Sequence, residues 1–215
     1  MVKERQTAYM MRLYDKYVLP SVVHFTCGLK PSTYQRRKVV PKAEGLVLEI
    51  GIGTGLNLSH YDPQRVTKVV GLDPSPEMTR IADRAARSAP FEVELIESPG
   101  EAIPLDSRSV DTVVMTYTLC SIADARTALR EMARVLKPGG KLIFCEHGAA
   151  PDAGVRRWQD LVSPVWSRFG GGCQLNRDVP GLLVAGGFRI ADMETMYIPG
   201  WRPASFNYWG AAIPE

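Results

Sequence analysis

Val47-Leu48-Glu49-Ile50-Gly51-Ile52-Gly53-Thr54-Gly55-Leu56-Asn57 is the stretch on which the reading of this chain turns. An apolar run too short for a helix carries one acidic residue and then meets glycine at every second position. Beyond it, Leu56, Leu58 and Tyr61 fall at helical spacing, which predicts a helix over about Leu56 to Tyr61. A buried strand feeding a glycine-rich turn and a helix N-terminus brings backbone N–H groups and a positive dipole end to one point. Such a seat suits a nucleotide-like ligand.

Working outward from Gly45, strand and helix alternate, the pattern of βαβ units on a parallel sheet. Strands are expected at Leu46–Ile50, Lys68–Leu72, Phe91–Ile96, Val110–Thr116 and Lys141–Cys145. Ser75 can cap a helix that has Pro76 at its first position and runs to about Ser88. Asp124–Val135 reads as an amphipathic helix with Ala128, Leu129, Met132 and Val135 on its apolar face. Lys137-Pro138-Gly139-Gly140 reads as a sharp stop and turn. Asp152 and Asn176 are the expected caps of two later helices, the first kinked at Pro164 and followed by the glycine loop Gly170-Gly171-Gly172. Phe188–Ile198 and Ser205–Ala212 are expected as a final antiparallel pair. The fold class is α/β: a doubly wound, mostly parallel seven-stranded sheet over residues 45–215, with residues 1–44 as a helical cap over the site.

The 215 residues suffice for one well-cored domain with a small addition. A net charge of +3 gives no ground for a nucleic-acid partner. No apolar run reaches the roughly 18 to 20 residues of a membrane span, and Met1–Thr7 lacks the apolar core of an export signal. The first 42 residues are basic, however, and Met10, Leu13, Tyr14, Tyr17 and Val18 lie at helical spacing before Pro20, which should end or kink that helix. Such a segment can close over a pocket, with Tyr9, Tyr14, Tyr17, Phe25 and Tyr34 available to line it. It can also dock peripherally on a membrane surface. Cys27, Cys120, Cys145 and Cys173 form no C-x-x-C pair, and His24, His60 and His147 show no metal-ligand spacing. No metal site is expected, and free thiols point to a reducing, cytoplasmic setting. Cys120, Cys145 and Cys173 read as packing residues.

The glycine spacing is G-x-G-x-G, and Leu56 stands where a dinucleotide fingerprint needs its third glycine, so a nicotinamide cofactor is disfavoured. Asp73 ends the second strand, where a carboxylate can hold both hydroxyls of a ribose.

Four ordered segments, Glu49–Gly55, Gly71–Met78, Val110–Val113 and Leu136–Leu142, resemble the successive motifs of class I S-adenosylmethionine-dependent methyltransferases. Cys145-Glu146-His147, Trp158, Pro164, Trp166 and Gly172–Arg177 further resemble the family that includes the mammalian alkyl-thiol methyltransferases, whose hydrophobic N-terminal anchor has no counterpart here. The resemblance implies a Rossmann-like fold and S-adenosylmethionine as cofactor. It implies that Gly51, Gly53 and Gly55 admit the cofactor, that Glu49 orients its aminium end and that Asp73 holds its ribose, with Asn57 in the same set. Pro74 would flank the adenine, whose recognition falls to the backbone at Gly100 and Glu101. Thr116 and Tyr117 would face the methionine and the transferring methyl. His147, just past the fifth strand, is the candidate base, and Tyr117 can support a sulfonium by cation–π attraction. The implied acceptor is a small or lipophilic thiol or sulfide. A phospholipid amine or quinone-like acceptor at a membrane is the alternative, and oligomeric state is left open.

Overall fold

The computed structural model describes Met10, Leu13, Tyr14 and residues 16–215. Met10, Leu13, Tyr14, Lys16 and Tyr17 are helical, while Tyr9 lies outside the described residues. Pro20 does not kink that helix from within. The chain turns at Val18, and Pro20 sits in the first turn of a new helix, α1 (Leu19–Cys27), where no intrahelical N–H is lost. Pro31 plays the same part in α2 (Lys30–Val39). A short 3-10 turn, Val40–Lys42, leads into the sheet.

The sheet comprises β1 (Gly45–Ile50), β2 (Val66–Leu72), β3 (Glu92–Ile96), β4 (Val110–Thr116), β5 (Leu136–His147), β6 (Phe188–Tyr197) and β7 (Phe206–Pro214). The strand order is β3-β2-β1-β4-β5-β7-β6, with β7 antiparallel to both of its neighbours and the remaining pairs parallel. Helices α3 (Pro76–Ala86), α4 (Ala125–Val135), α5 (Ala153–Phe169) and α6 (Val179–Ala185) connect and flank the strands. The inner strands are apolar on both faces, as a sheet covered on both sides requires. Leu48, Ile50, Val70, Leu72, Val113, Met115 and Phe144 pack into one core with α4. Their alternate neighbours Val47, Val69, Val114, Ile143 and Cys145 pack into a second core with Val39 and Val40.

Four local expectations are corrected. Residues 51–61 form successive turns rather than a helix: Gly55 N bonds Ile52 O, Leu58 N bonds Gly55 O and His60 N bonds Asn57 O. Three glycines at positive φ prevent a helical start, and the Asn57 side chain is drawn inward to Glu49. Lys137–Gly140 is not a break before a separate strand. Leu136 already pairs with Val110 and Lys141 with Thr112, so the four residues between them bulge opposite Asp111 within one strand. Asp152 occupies the cap position of α5 without bonding its backbone, because its carboxylate accepts the Tyr197 hydroxyl. Asp178, not Asn176, caps α6, since Asn176 is engaged by Asp160 and Ser163 of α5.

Candidate active site

Strand order reverses between β1 and β4, so the connections leaving their C-terminal ends diverge and open a cleft. Glu49, Gly51, Gly53, Asn57, Thr116 and Tyr117 of the expected residues line it, joined by Val23, Cys27, Arg36, Ile52, Thr54, Leu56 and Thr118. Glu49 is buried at the cleft floor, and its two carboxylate oxygens accept from Asn57 Nδ2 at 3.0 Å and Tyr61 Oη at 2.7 Å. Asn57 Nδ2 also donates to Thr116 Oγ1 at 2.9 Å, which ties the turn after β1 to the end of β4. Burial pushes the Glu49 carboxyl up to about 7, against the pull of those donors.

The glycine turn is held from β2. Gly51 N and Ile52 N both bond Leu72 O, and Asp73 Oδ2 accepts from Gly53 N at 3.0 Å while Oδ1 accepts from Ser75 N at 2.9 Å. Gly51 is obligatory here: its φ is +65°, and a Cβ would lie 2.3 Å from Thr118 Cγ2. Gly55, also at positive φ, faces Ala85 and Leu58 rather than the cleft. Pro74 is exposed, and Gly100 packs on Ile50 and Ala128. The Glu101 carboxylate accepts from Asp124 N at the start of α4, leaving its backbone as the part free for another role. Gly55, Asp73, Pro74, Gly100, Glu101 and His147 are not among the residues lining this cleft.

Tyr117 stands at φ +55°, a left-handed conformation that costs a non-glycine residue roughly 1–2 kcal/mol. Its N–H bonds Cys145 O and its hydroxyl donates to Asn207 Oδ1 at 2.7 Å, which fix it there. Burial holds its phenol well above 10, so it is a neutral donor. The Arg36 guanidinium lies 4.9 Å from the ring centroid, and His147 stacks at 6.5 Å. A sulfonium approaching this ring would therefore share it with Arg36. His147 is buried, with Nε2 at 3.3 Å from Cys173 Sγ, so its base-capable nitrogen faces a thiol of the chain. Burial alone would pull the imidazole down, but Cys173 and Glu146 outweigh it and raise it, while Cys120 and His147 hold the Cys173 thiol low.

The cap reaches the cleft through residues that the sequence reading passed over. His24 Nδ1 is 2.7 Å from Thr54 Oγ1, and Arg36 donates to Cys27 O across the join of α1 and α2. Tyr17, Phe25 and Tyr34, expected to line the site, are instead 65%, 70% and 67% exposed. A signal for Arg36 did exist: it precedes Val39 by three residues and Val40 by four, so helical period turns it inward while Arg37 and Lys38 stay exposed. Arg36 Nε and Asn57 Oδ1 are buried without a partner, and both residues line the cleft. A ligand bearing an ammonium and a carboxylate would meet Glu49 and Arg36 there, so these residues fit the methionine end of S-adenosylmethionine.

Comparison with known proteins gives the same reading. A family model described as a methyltransferase domain matches residues 48–144. The chain is 35% identical to human thiol S-methyltransferase TMT1B over 191 residues, covering 86% of this chain and 78% of that protein. It is 30% identical to human thiol S-methyltransferase TMT1A over 178 residues, covering 80% and 72%. A SAM-dependent methyltransferase structure from Thermotoga maritima shares the fold, with a TM-score of 0.67 at 21% identity over 96% of this chain and 100% of that one. The chain is an enzyme of the class I S-adenosylmethionine-dependent methyltransferases and belongs to the family that contains the mammalian thiol S-methyltransferases.

Proposed function

We propose that this methyltransferase methylates sulfur in a small or lipophilic thiol or sulfide. The observation that carries the reading is the 35% identity to human thiol S-methyltransferase TMT1B, spread over 86% of the chain. Bound S-adenosylmethionine supplies a methyl group on a sulfonium sulfur. Glu49 pairs with its ammonium, Arg36 with its carboxylate and Asp73 with its ribose hydroxyls. Gly51 and Gly53 let the turn approach the cofactor, Gly55 lets the turn fold against α3, and Asn57 keeps Glu49 aimed. Pro74 flanks the adenine, and the backbone at Gly100 and Glu101 reads its edge. Thr116 and Tyr117 stand at the methyl end.

What remains for the protein is placement and exclusion of water. An in-line displacement gains much of its rate from holding the reacting atoms in reach. Charge is neutralised when thiolate meets sulfonium, which a dry pocket favours. A thiol with pKa near 8.5 is already partly ionised at neutral pH. It needs no strong base, and His147, occupied by Cys173, supplies none beyond that pair. The test is a panel of thiol, amine, phenol and phospholipid acceptors incubated with S-adenosylmethionine. A methyl thioether together with S-adenosylhomocysteine is expected from the thiols. Methylated amine or phenol without thioether overturns the reading. We further propose a cytoplasmic protein whose α1 and α5 touch a membrane surface, where lipophilic thiols partition.

A further inference from the structure

The side chains of Cys120, His147 and Cys173 converge although 27 and 26 residues separate them in sequence. Cys120 comes from the loop after β4, His147 is the last residue of β5, and Cys173 follows the glycine loop that ends α5. Their two sulfurs and an imidazole nitrogen all lie within 4.8 Å of one another, with Cys173 Sγ 3.3 Å from His147 Nε2. Tetrahedral zinc with bonds of about 2.3 Å to sulfur and 2.0 Å to nitrogen sets such ligands about 3.5 Å apart. The backbone holds the cluster together: Gln174 N donates to Cys120 O at 2.9 Å, and Gly171 and Gly172 take positive φ to turn Cys173 inward.

We propose that Cys120, His147 and Cys173 bind one zinc ion whose fourth position takes the sulfur of the acceptor thiol. Two thiolates and one imidazole are the ligand set of a zinc site that keeps a position open, whereas a purely structural site closes with four protein ligands. The surroundings fit. His147 Nδ1 is buried without a hydrogen-bond partner, so no contact among the described residues ties the ring away from a ligating pose. The cluster also adjoins the cleft, since Tyr117 and Thr118 line it, Tyr117 stacks on His147 and Cys120 donates to Tyr117 O. The part played by the acceptor rests on the thiol reading above; the metal site does not.

The chemistry balances. Zinc binding releases two protons, one from the Cys120 thiol and one held by the Cys173–His147 pair, and the acceptor thiol loses its proton on joining the metal. The bound thiolate forms the new S–CH3 bond while the methyl–sulfonium bond breaks, and its electron pair stays on the cofactor sulfur. A neutral thioether is a weaker ligand than a thiolate and gives way to the next thiol.

The full-length protein, reduced and stripped with a chelator, should be titrated with Co2+ and then Zn2+ without oxygen. One equivalent per chain, with thiolate-to-cobalt charge-transfer absorption and the visible bands of tetrahedral cobalt, is expected. Cys120→Ser and Cys173→Ser should each weaken zinc by more than the ~10–100-fold that loss of an outer partner costs, and Cys145→Ser should not. Calorimetric binding of S-adenosylmethionine to each variant checks that it is folded. A small alkyl thiol should shift the cobalt bands. Absence of the cobalt spectrum in folded protein, or a Cys120–Cys173 disulfide in protein prepared under reducing conditions, overturns the proposal. If stripped protein methylates thiols at the zinc-loaded rate, the metal inference falls and the thiol reading stands. If zinc binds but thiols neither shift the bands nor become methylated, the thiol reading falls and the metal site stands.

Discussion

Glu49 sits on the cleft floor as a carboxyl that burial raises from 4.5 to about 7. Because the folded value lies above the unfolded one, the folded chain holds a proton there that the unfolded chain releases. Stability from this group is therefore complete below about pH 4.5 and is lost as pH rises through about 7, amounting to roughly 3 kcal/mol. A cofactor ammonium paired with the carboxylate, as proposed above, would reverse the preference. Affinity for S-adenosylmethionine should rise between about pH 5.5 and 8 with proton release, and Glu49→Gln should flatten that rise. Calorimetry in buffers of different ionisation enthalpy reads both effects. At Asp73, two backbone N–H groups hold the carboxylate in place beside the turn. Asp73→Ala should raise the cofactor Kd by about 10–100-fold, the equivalent of one or two charge-assisted hydrogen bonds, without loss of helical signal.

Helix α5 is fastened to the sheet end chiefly through the side chain of Gln159. Gln159 is fully buried; its Oε1 accepts from Ala150 N at 2.9 Å, and its Nε2 shares two N–H groups among Gly148 O, Leu175 O and Pro203 O at 2.9, 3.0 and 2.9 Å. Those four groups belong to the loops that surround His147 and Cys173. Truncation leaves all four unpaired in the interior, so Gln159→Ala should lower stability by about 3 kcal/mol or more in urea unfolding. The helix keeps Pro164 inside it, and Ser163 turns its hydroxyl to Leu175 N, so the ring is accommodated next to a second tie between α5 and the Cys173 loop.

Across the whole molecule, apolar side chains gather on one outer face. Trp158, Leu161, Val165 and Phe169 share a face of α5 and are 60%, 69%, 63% and 52% exposed. The start of α1 lies beside them, since the Tyr14 hydroxyl donates to Phe169 O and Leu19 touches Gly171. No helix among the described residues is long and apolar enough to cross a membrane, yet an apolar face next to a basic segment suits the surface of one. Cosedimentation with anionic vesicles should fall steeply with added salt, and the pair Trp158→Glu and Leu161→Glu should reduce it about tenfold or more. Binding that ignores both salt and the pair removes this face from consideration.

Much of this was legible in the residues because it is local. Short apolar runs marked β1, β2 and β4, Ser75 and Asp124 marked the starts of α3 and α4, and the spaced glycines marked the turn at the cleft. Repeating glycines hid the turns of residues 51–61, since periodicity at Leu56, Leu58 and Tyr61 is shared by a helix and by stacked turns. The sequence by itself determined the fold class and the family, because strand periods and ordered local motifs carry both. Only the tertiary structure decided that Tyr117 carries Arg36 and His147, and that Cys120, His147 and Cys173 meet. Those meetings depend on how separate loops leave the same edge of the sheet, and no spacing along the chain encodes that distance.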